Sequence, residues 1–195
     1  IINTILPLGP SSLESFDDHT LKFAFEFFYS FHTTLGWKRF ILLGLSMIPL
    51  LNKLLPFLPH FPKLVMLAEF EGDSQKEVDE KISALENSMK PFKVTTQLAM
   101  DKAHEEKFWI IRRESFNLLR KNVKKKHAAP FIDDLIVPPA SLPEFLPKLI
   151  NIMERYQLLY TIAGHMGDGN FHIIPLMDLT KQVERDKIPA VLNEV

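Results

Sequence analysis

The chain has 195 residues, 46% hydrophobic and 24% charged, a composition ordinary for one globular domain or for one domain and part of a second. It has no cysteine, which excludes disulfides, thiolate zinc sites and iron–sulfur ligation by these residues. The 23 Lys and Arg against 24 Asp and Glu leave a net charge of -1, without the positive excess of a dedicated nucleic-acid binder.

In chain order, Asp17 or Asp18 can cap a helix running to about Leu35, with Gly36 as its stop. Leu21, Phe23, Phe25, Phe27, Phe28 and Phe31 cover more than one face of it, so it is buried on several sides or faces a partner. The stretch from Phe40 to Leu58 is the most apolar, but Pro49, Asn52, Lys53 and Pro56 interrupt it, and a bilayer helix wants ~20 unbroken apolar residues. No basic segment followed by a small-residue cleavage site opens the chain. A cytoplasmic location is expected, with the apolar stretch packing on another domain or touching the inner face of the membrane peripherally. Residues 1–62 together read as a helical, Phe- and Leu-rich cap segment. The chain starts at Ile1 and ends within a helix-like pattern at Val195, as a piece of a longer protein would.

From residue 63 the signals become regular. Leu64 to Glu71 reads as a strand. Ser74 and Glu77 form a capping box for a helix with Val78, Ile82, Leu85 and Met89 on one face, which Pro91 ends. Residues 92–100 read as a strand, 102–122 as an amphipathic helix, and Phe131 to Val137 as a strand closed by Pro138 and Pro139. Ser141 and Glu144 offer another capping box, with Pro147 awkwardly inside the helix that follows. Strands over 158–164 and 170–176 and a helix from Thr180 complete the order β-α-β-α-β-α-β-β-α. That order predicts an α+β domain over 63–195, with a ferredoxin-like antiparallel sheet covered by helices.

The densest chemistry lies in Ala163 to His172, AGHMGDGNFH. Asp168-Gly169 predicts a two-residue type I′ hairpin, which would set His165 directly opposite His172 with Cβ atoms ~5 Å apart. Two such imidazoles could share a divalent metal with a third ligand from elsewhere, or could merely hydrogen-bond beside a glycine-rich turn. In Trp109-Ile110-Ile111-Arg112-Arg113-Glu114, Trp109 and Arg112 share a helix face; Arg112 can hold a carboxylate bidentately, or lie at the surface beside a core Trp. The basic run Arg120, Lys121, Lys124 and Lys126 reads as a solvated helix end or as an anion-binding patch. Of Asp133 and Asp134, one should face inward and pair with a base such as an Arg. No glycine-rich dinucleotide or phosphate loop is present.

The runs AGHMGDGNFH, WIIRRE and FIDDLIVPPASLPEFL resemble the C-terminal domain of FAD-linked oxidases of the vanillyl-alcohol-oxidase type, which include D-lactate dehydrogenase and the glycolate oxidase flavin subunit. The resemblance spans about 63–195, with 1–62 similar to the family's variable cap. It implies that FAD is bound mainly by a separate N-terminal domain outside this chain, while this part covers the flavin and forms the pocket for a D-2-hydroxy acid. It implies catalytic roles for His165 and His172, substrate binding by Arg112, and Gly169 and Asn170 facing the cofactor. In metal-using members the two histidines bind a divalent ion such as zinc together with a carboxylate from a downstream segment. The implied partners are a small 2-hydroxy acid, the chain's own FAD domain and an unidentified electron acceptor, and no nucleic acid. Ile132 stands where hydroxyglutarate-oxidising members carry a lysine, which points toward other hydroxy acids. The rival reading is a non-catalytic α+β module that binds an anionic ligand through the region from Arg112 to Lys126.

Overall fold

The computed structural model describes residues 1–20, 22, 32, 36–38, 40–41, 44–45, 62–99, 105, 108–110, 112–113 and 126–195. A short helix α1 (Ile2–Ile5) and a 3-10 turn (Leu6–Leu8) lead into β1 (Ser12–Asp17). Then come β2 (Leu64–Glu69), α2 (Gln75–Met89), β3 (His127–Ala128), β4 (Asp134–Ile136) and α3 (Leu142–Arg155). The chain closes with β5 (Leu159–His165), β6 (Asn170–Met177), α4 (Gln182–Arg185) and α5 (Lys187–Glu194). The protein is therefore α+β. All strand pairings are antiparallel, in the order β2-β1-β5-β6, and β3 and β4 share the outer edge of β6.

β1 lies between β2 and β5, whereas the sequence suggests only helix before residue 63. Its burial explains the discrepancy. Leu13 to Asp17 are all buried, so the strand carries Glu14, Ser15 and Asp17 inside and shows no apolar–polar alternation. Asp17 ends the strand and starts a helix at residues 18–20. Its Oδ1 accepts from the Thr20 amide at 2.8 Å and the Thr20 hydroxyl at 2.7 Å, the N-cap expected from the sequence. Its Oδ2 accepts the Ile162 amide at 2.9 Å, bridging to β5 just past the paired Phe16 and Ala163. Burial raises the Asp17 carboxyl, and the bonds from Thr20 and Ile162 pull against that rise. Neighbouring Tyr160 is pushed up to about 12, first by burial and then by the charge of Asp17.

Because side chains alternate across a strand, the register sorts them into two faces. Tyr160, Ile162, Phe171, Ile173 and Met177 lie on one face, packed with Leu142, Leu149 and Met153 of α3. Phe145 meets Phe171 edge-on at 6.1 Å between ring centres. Each fully buried Leu or Met contributes ~1.5–3 kcal/mol, so this layer holds the sheet in place. The other face carries the polar groups of the candidate site.

Several elements differ from expectation. Residues 93–99 are exposed coil rather than strand; β propensity there meets no partner edge among the described residues. The third expected strand shrinks to Asp134–Ile136. Ser74 does cap α2, its Oγ accepting the Glu77 amide at 3.3 Å, but Glu77 Oε2 reaches back to the amide of Asp73 rather than of Ser74. Ser141 makes no cap: it closes a 3-10 turn (Pro139–Ser141) with helical backbone angles, and Glu144 pairs with Lys148 at 2.6 Å. Pro147 sits inside α3. Gly36 adopts φ +73° but belongs to helical residues 36–38, and the expected helix end at Leu35 lies outside the described residues. Trp37, Ile41 and Leu45, within the apolar stretch and its approach, are each more than half exposed, whereas Phe23, Phe25, Phe27 and Phe28 lie outside the described residues. The basic positions Arg120, Lys121 and Lys124 also lie outside them.

Candidate active site

The polar face is built from two rows of residues running across the sheet. In one row Leu67 pairs with Glu14, His165 with Asn170, and Asn170 with Ile136. The β1–β5 register of Ser15 with Gly164 puts Glu14 across from His165 one step further along. In the next row Val65 pairs with Phe16, Phe16 with Ala163, Ala163 with His172 and His172 with Asp134. His165, His172 and Asn170 therefore share a face with Glu14 and Asp134.

The two histidines are not directly opposed, contrary to the two-residue hairpin expected from Asp168-Gly169. The loop spans residues 166–169, with the Asp168 amide bonded to the His165 carbonyl at 3.0 Å and the Gly169 amide to the Met166 carbonyl at 3.2 Å. A type I′ turn needs positive φ at both Asp168 and Gly169, and of these only Gly169, at +71°, has it. His165 thus pairs with Asn170, two positions from the expected partner. A two-residue displacement keeps both rings on one face but leaves them diagonal.

Each histidine has its own carboxylate. His165 Nδ1 contacts Glu14 Oε1, whose side chain is only 6% exposed, while the His165 side chain is 52% exposed. His172 Nδ1 lies 3.7 Å from Asp133 Oδ1 and 3.9 Å from Asp134 Oδ1, too far for a hydrogen bond to fix the ring. Both acids therefore flank an imidazole, and among the described residues neither pairs with an arginine as the sequence suggests. Among the described residues, no group of three His, Asp or Glu side chains is placed to hold a metal. Among these residues His165 and His172 are therefore not joined by a third ligand into a metal site.

Arg112 reaches the same face from a helical segment. Its Nε donates to Glu14 Oε2 at 3.1 Å, and its Nη2 lies 3.0 Å from the same oxygen. Glu105, seven positions earlier in the sequence, sits by Glu69 of β2, whose carboxyl is raised by burial and then by the Glu105 charge. Arg113, next to Arg112, is exposed. Glu14 is the residue that sequence reasoning missed. It joins Arg112 to His165, and the only local trace of it is an acid in a short run before a helix cap.

The glycines of the run have structural duties. A Cβ on Gly164 would fall 2.5 Å from Phe171 Cα, and one on Gly169 would fall 1.9 Å from the Val137 carbonyl oxygen. Gly169 is thus required by packing against Val137, whose amide bonds its carbonyl at 2.9 Å. Asn170 differs: its Oδ1 is buried and has no hydrogen-bond partner among the described residues.

The model for the C-terminal domain of FAD-linked oxidases matches residues 7–195. The chain belongs to this family. The match takes in β1 as well as the region from residue 63 onward. Among curated proteins, the chain is similar to D-2-hydroxyglutarate dehydrogenase of Pseudomonas putida, 26% identical over 142 residues, covering 70% of this chain and 14% of that protein. The enzymes of the same name from Haemophilus influenzae (23% identical) and Escherichia coli (25%) each align with 66% of this chain and 13% of their own length. The chain thus spans about one seventh of the length of the curated relatives it matches. Among the described residues, no helix is long and apolar enough to cross a membrane.

Proposed function

We propose that this chain forms the substrate-binding part of an FAD-dependent oxidoreductase that oxidises a D-2-hydroxy acid. The observation that carries the reading is the gathering of Arg112, His165 and His172 on one sheet face in a family defined by FAD-linked oxidation. FAD, when bound, would accept the two electrons of the oxidation. Asn170 fits a place against the flavin, because its buried, unbonded Oδ1 awaits an N–H donor. Gly169 does not fit that role, since its carbonyl and its lack of a side chain are both used against Val137. The sequence carries no glycine-rich phosphate-binding loop, so the rest of the cofactor would be held by another domain of the full protein.

In this reading Arg112 binds the substrate carboxylate. The two N–H groups directed at Glu14 leave three of the five guanidinium donors, including an end-on Nη1/Nη2 fork suited to a carboxylate. A histidine on the same face takes the proton of the 2-hydroxyl. Ile132, at the position compared with a lysine of hydroxyglutarate-oxidising members, is buried in the core, so it supplies no second cation for a dicarboxylate. The relatives named for hydroxyglutarate therefore do not set the substrate, and a monocarboxylate such as D-lactate or glycolate is favoured. The electron acceptor is a further partner outside this chain, and the cytoplasm is the proposed compartment.

The test is flavin reduction in the intact protein, followed against a panel of D- and L-2-hydroxy acids. Reduction by D-acids supports the reading; no reduction by any member sinks it. In the same assay Arg112→Lys should lose ~1.5–3 kcal/mol of transition-state binding, about 10- to 150-fold in kcat/KM, because lysine keeps the charge but not the fork. Arg113→Lys should lose far less, since Arg113 is exposed. Equal, small losses at both positions would show that the carboxylate is held elsewhere.

A further inference from the structure

We propose that Ile136 is the specificity-determining residue of this site, and that it selects 2-hydroxy acids whose side chain is apolar and longer than the methyl group of lactate. The proposal rests on the function proposed above and names the substrate class within it.

Ile136 is 75% exposed, more than any other large apolar residue among the described ones. Core packing does not account for it. Leu135 and Val137, on either side of it in the chain, pack against the hydrophobic core, and side chains alternate across a strand, so Ile136 faces the other way. Strand propensity does not require it either, since threonine is as good a strand former and would give water a hydroxyl. Its place in the sheet supplies a reason. The partner of Ile136 is Asn170, and the partner of Asn170 is His165. Directly opposed residues share a face, so Ile136 stands in the row of the candidate site, at the end away from Arg112.

The row sets both a direction and a length. Arg112 is bound to Glu14 of β1, one strand to one side of His165, whereas Ile136 lies two strands to the other side. The usual spacing of neighbouring strands puts the Ile136 backbone roughly 10 Å from that of His165. In a 2-hydroxy acid the carboxylate and the side chain leave C2 in different directions. With the carboxylate on Arg112 and the hydroxyl at a histidine, the side chain runs along the row, over Asn170, toward Ile136. A methyl group stops short of Ile136, whereas a propyl group extends to it. The alkyl group there offers apolar contact area but no charge or hydrogen bond, so a second carboxylate would lose water and gain no partner.

The experiment follows flavin reduction in the intact protein with D-lactate, D-2-hydroxybutyrate, D-2-hydroxyvalerate and D-2-hydroxyglutarate. In wild type kcat/KM should rise about 4-fold for each added methylene, the value of burying one CH2, and D-2-hydroxyglutarate should fall below D-2-hydroxyvalerate. Ile136→Thr keeps a branched strand former but loses apolar reach, so it should flatten the rise while leaving D-lactate little changed. Ile136→Lys supplies a cation for a second carboxylate and should raise D-2-hydroxyglutarate about 10- to 100-fold relative to D-2-hydroxyvalerate.

A wild-type series that is flat from D-lactate to D-2-hydroxyvalerate would overturn the proposal. So would variants that change all four acids by the same factor, as they would if Ile136 were merely covered by another domain. Either result would leave the proposed function standing. Reduction by no D-2-hydroxy acid would overturn that function and this proposal with it. If one variant failed to fold, the wild-type series and the other variant would still decide.

Discussion

Gly169→Val is expected to destabilise the protein by ~4 kcal/mol or more, a loss in the range reserved for core or backbone disruption. Gly169 sits at φ +71°, where a β-branched residue is strained, at a cost of roughly 1–3 kcal/mol. A Cβ there would also fall 1.9 Å from the Val137 carbonyl oxygen, so loop and strand end cannot keep their places. The bond from the Val137 amide to the Gly169 carbonyl would be strained with them. Among the described residues β4 pairs only with β6, so losing this clamp would also release Asp134 from its position opposite His172. A shift of roughly 8–16 °C in Tm follows for a protein of this size. Gly9→Ala is the control: Gly9 has φ +65° but, among the described residues, nothing within 4 Å of its would-be Cβ, so it should cost only ~1–2 kcal/mol of backbone strain. A Gly169→Val melting point within about 2 °C of wild type would show that the hairpin is not clamped as described.

His165→Ala is expected to lower kcat of the intact protein about 10²- to 10⁴-fold, the usual contribution of a positioned general base. His172→Ala should cost clearly less, because its ring is not held by a hydrogen bond to either neighbouring acid. The double variant should be worse than either single one, since the two rings lean on different carboxylates and do not act as one unit. Steady-state turnover with saturating substrate decides the matter. Equal losses at the two positions, with no further loss in the double variant, would mean that the pair works together, as the directly opposed geometry read from the sequence implied.

Much of the hairpin was legible in the residues themselves. The apolar runs on either side of His165 and Asn170 specify two strands, and a side-chain period of two puts His165 and His172 on one face under any even displacement of register. The helices at Gln75–Met89 and Leu142–Arg155 follow from apolar spacing, and the resemblance of AGHMGDGNFH to FAD-linked oxidases pointed to the family that the whole-chain match shows. What the sequence left open was settled by contacts between distant segments. The choice between a two-residue turn and the longer loop depends on Gly169 packing against Val137, a contact that no local pattern encodes. The partner of each histidine depends on which strand lies beside it. β1 pairs with residues about 50 positions later on one side and about 150 later on the other. Buried from Leu13 to Asp17, with polar side chains inside, it carried no period of its own to announce a strand. Sequence pattern records how a segment meets water, and where a strand meets none, only the assembled sheet decides what its side chains touch.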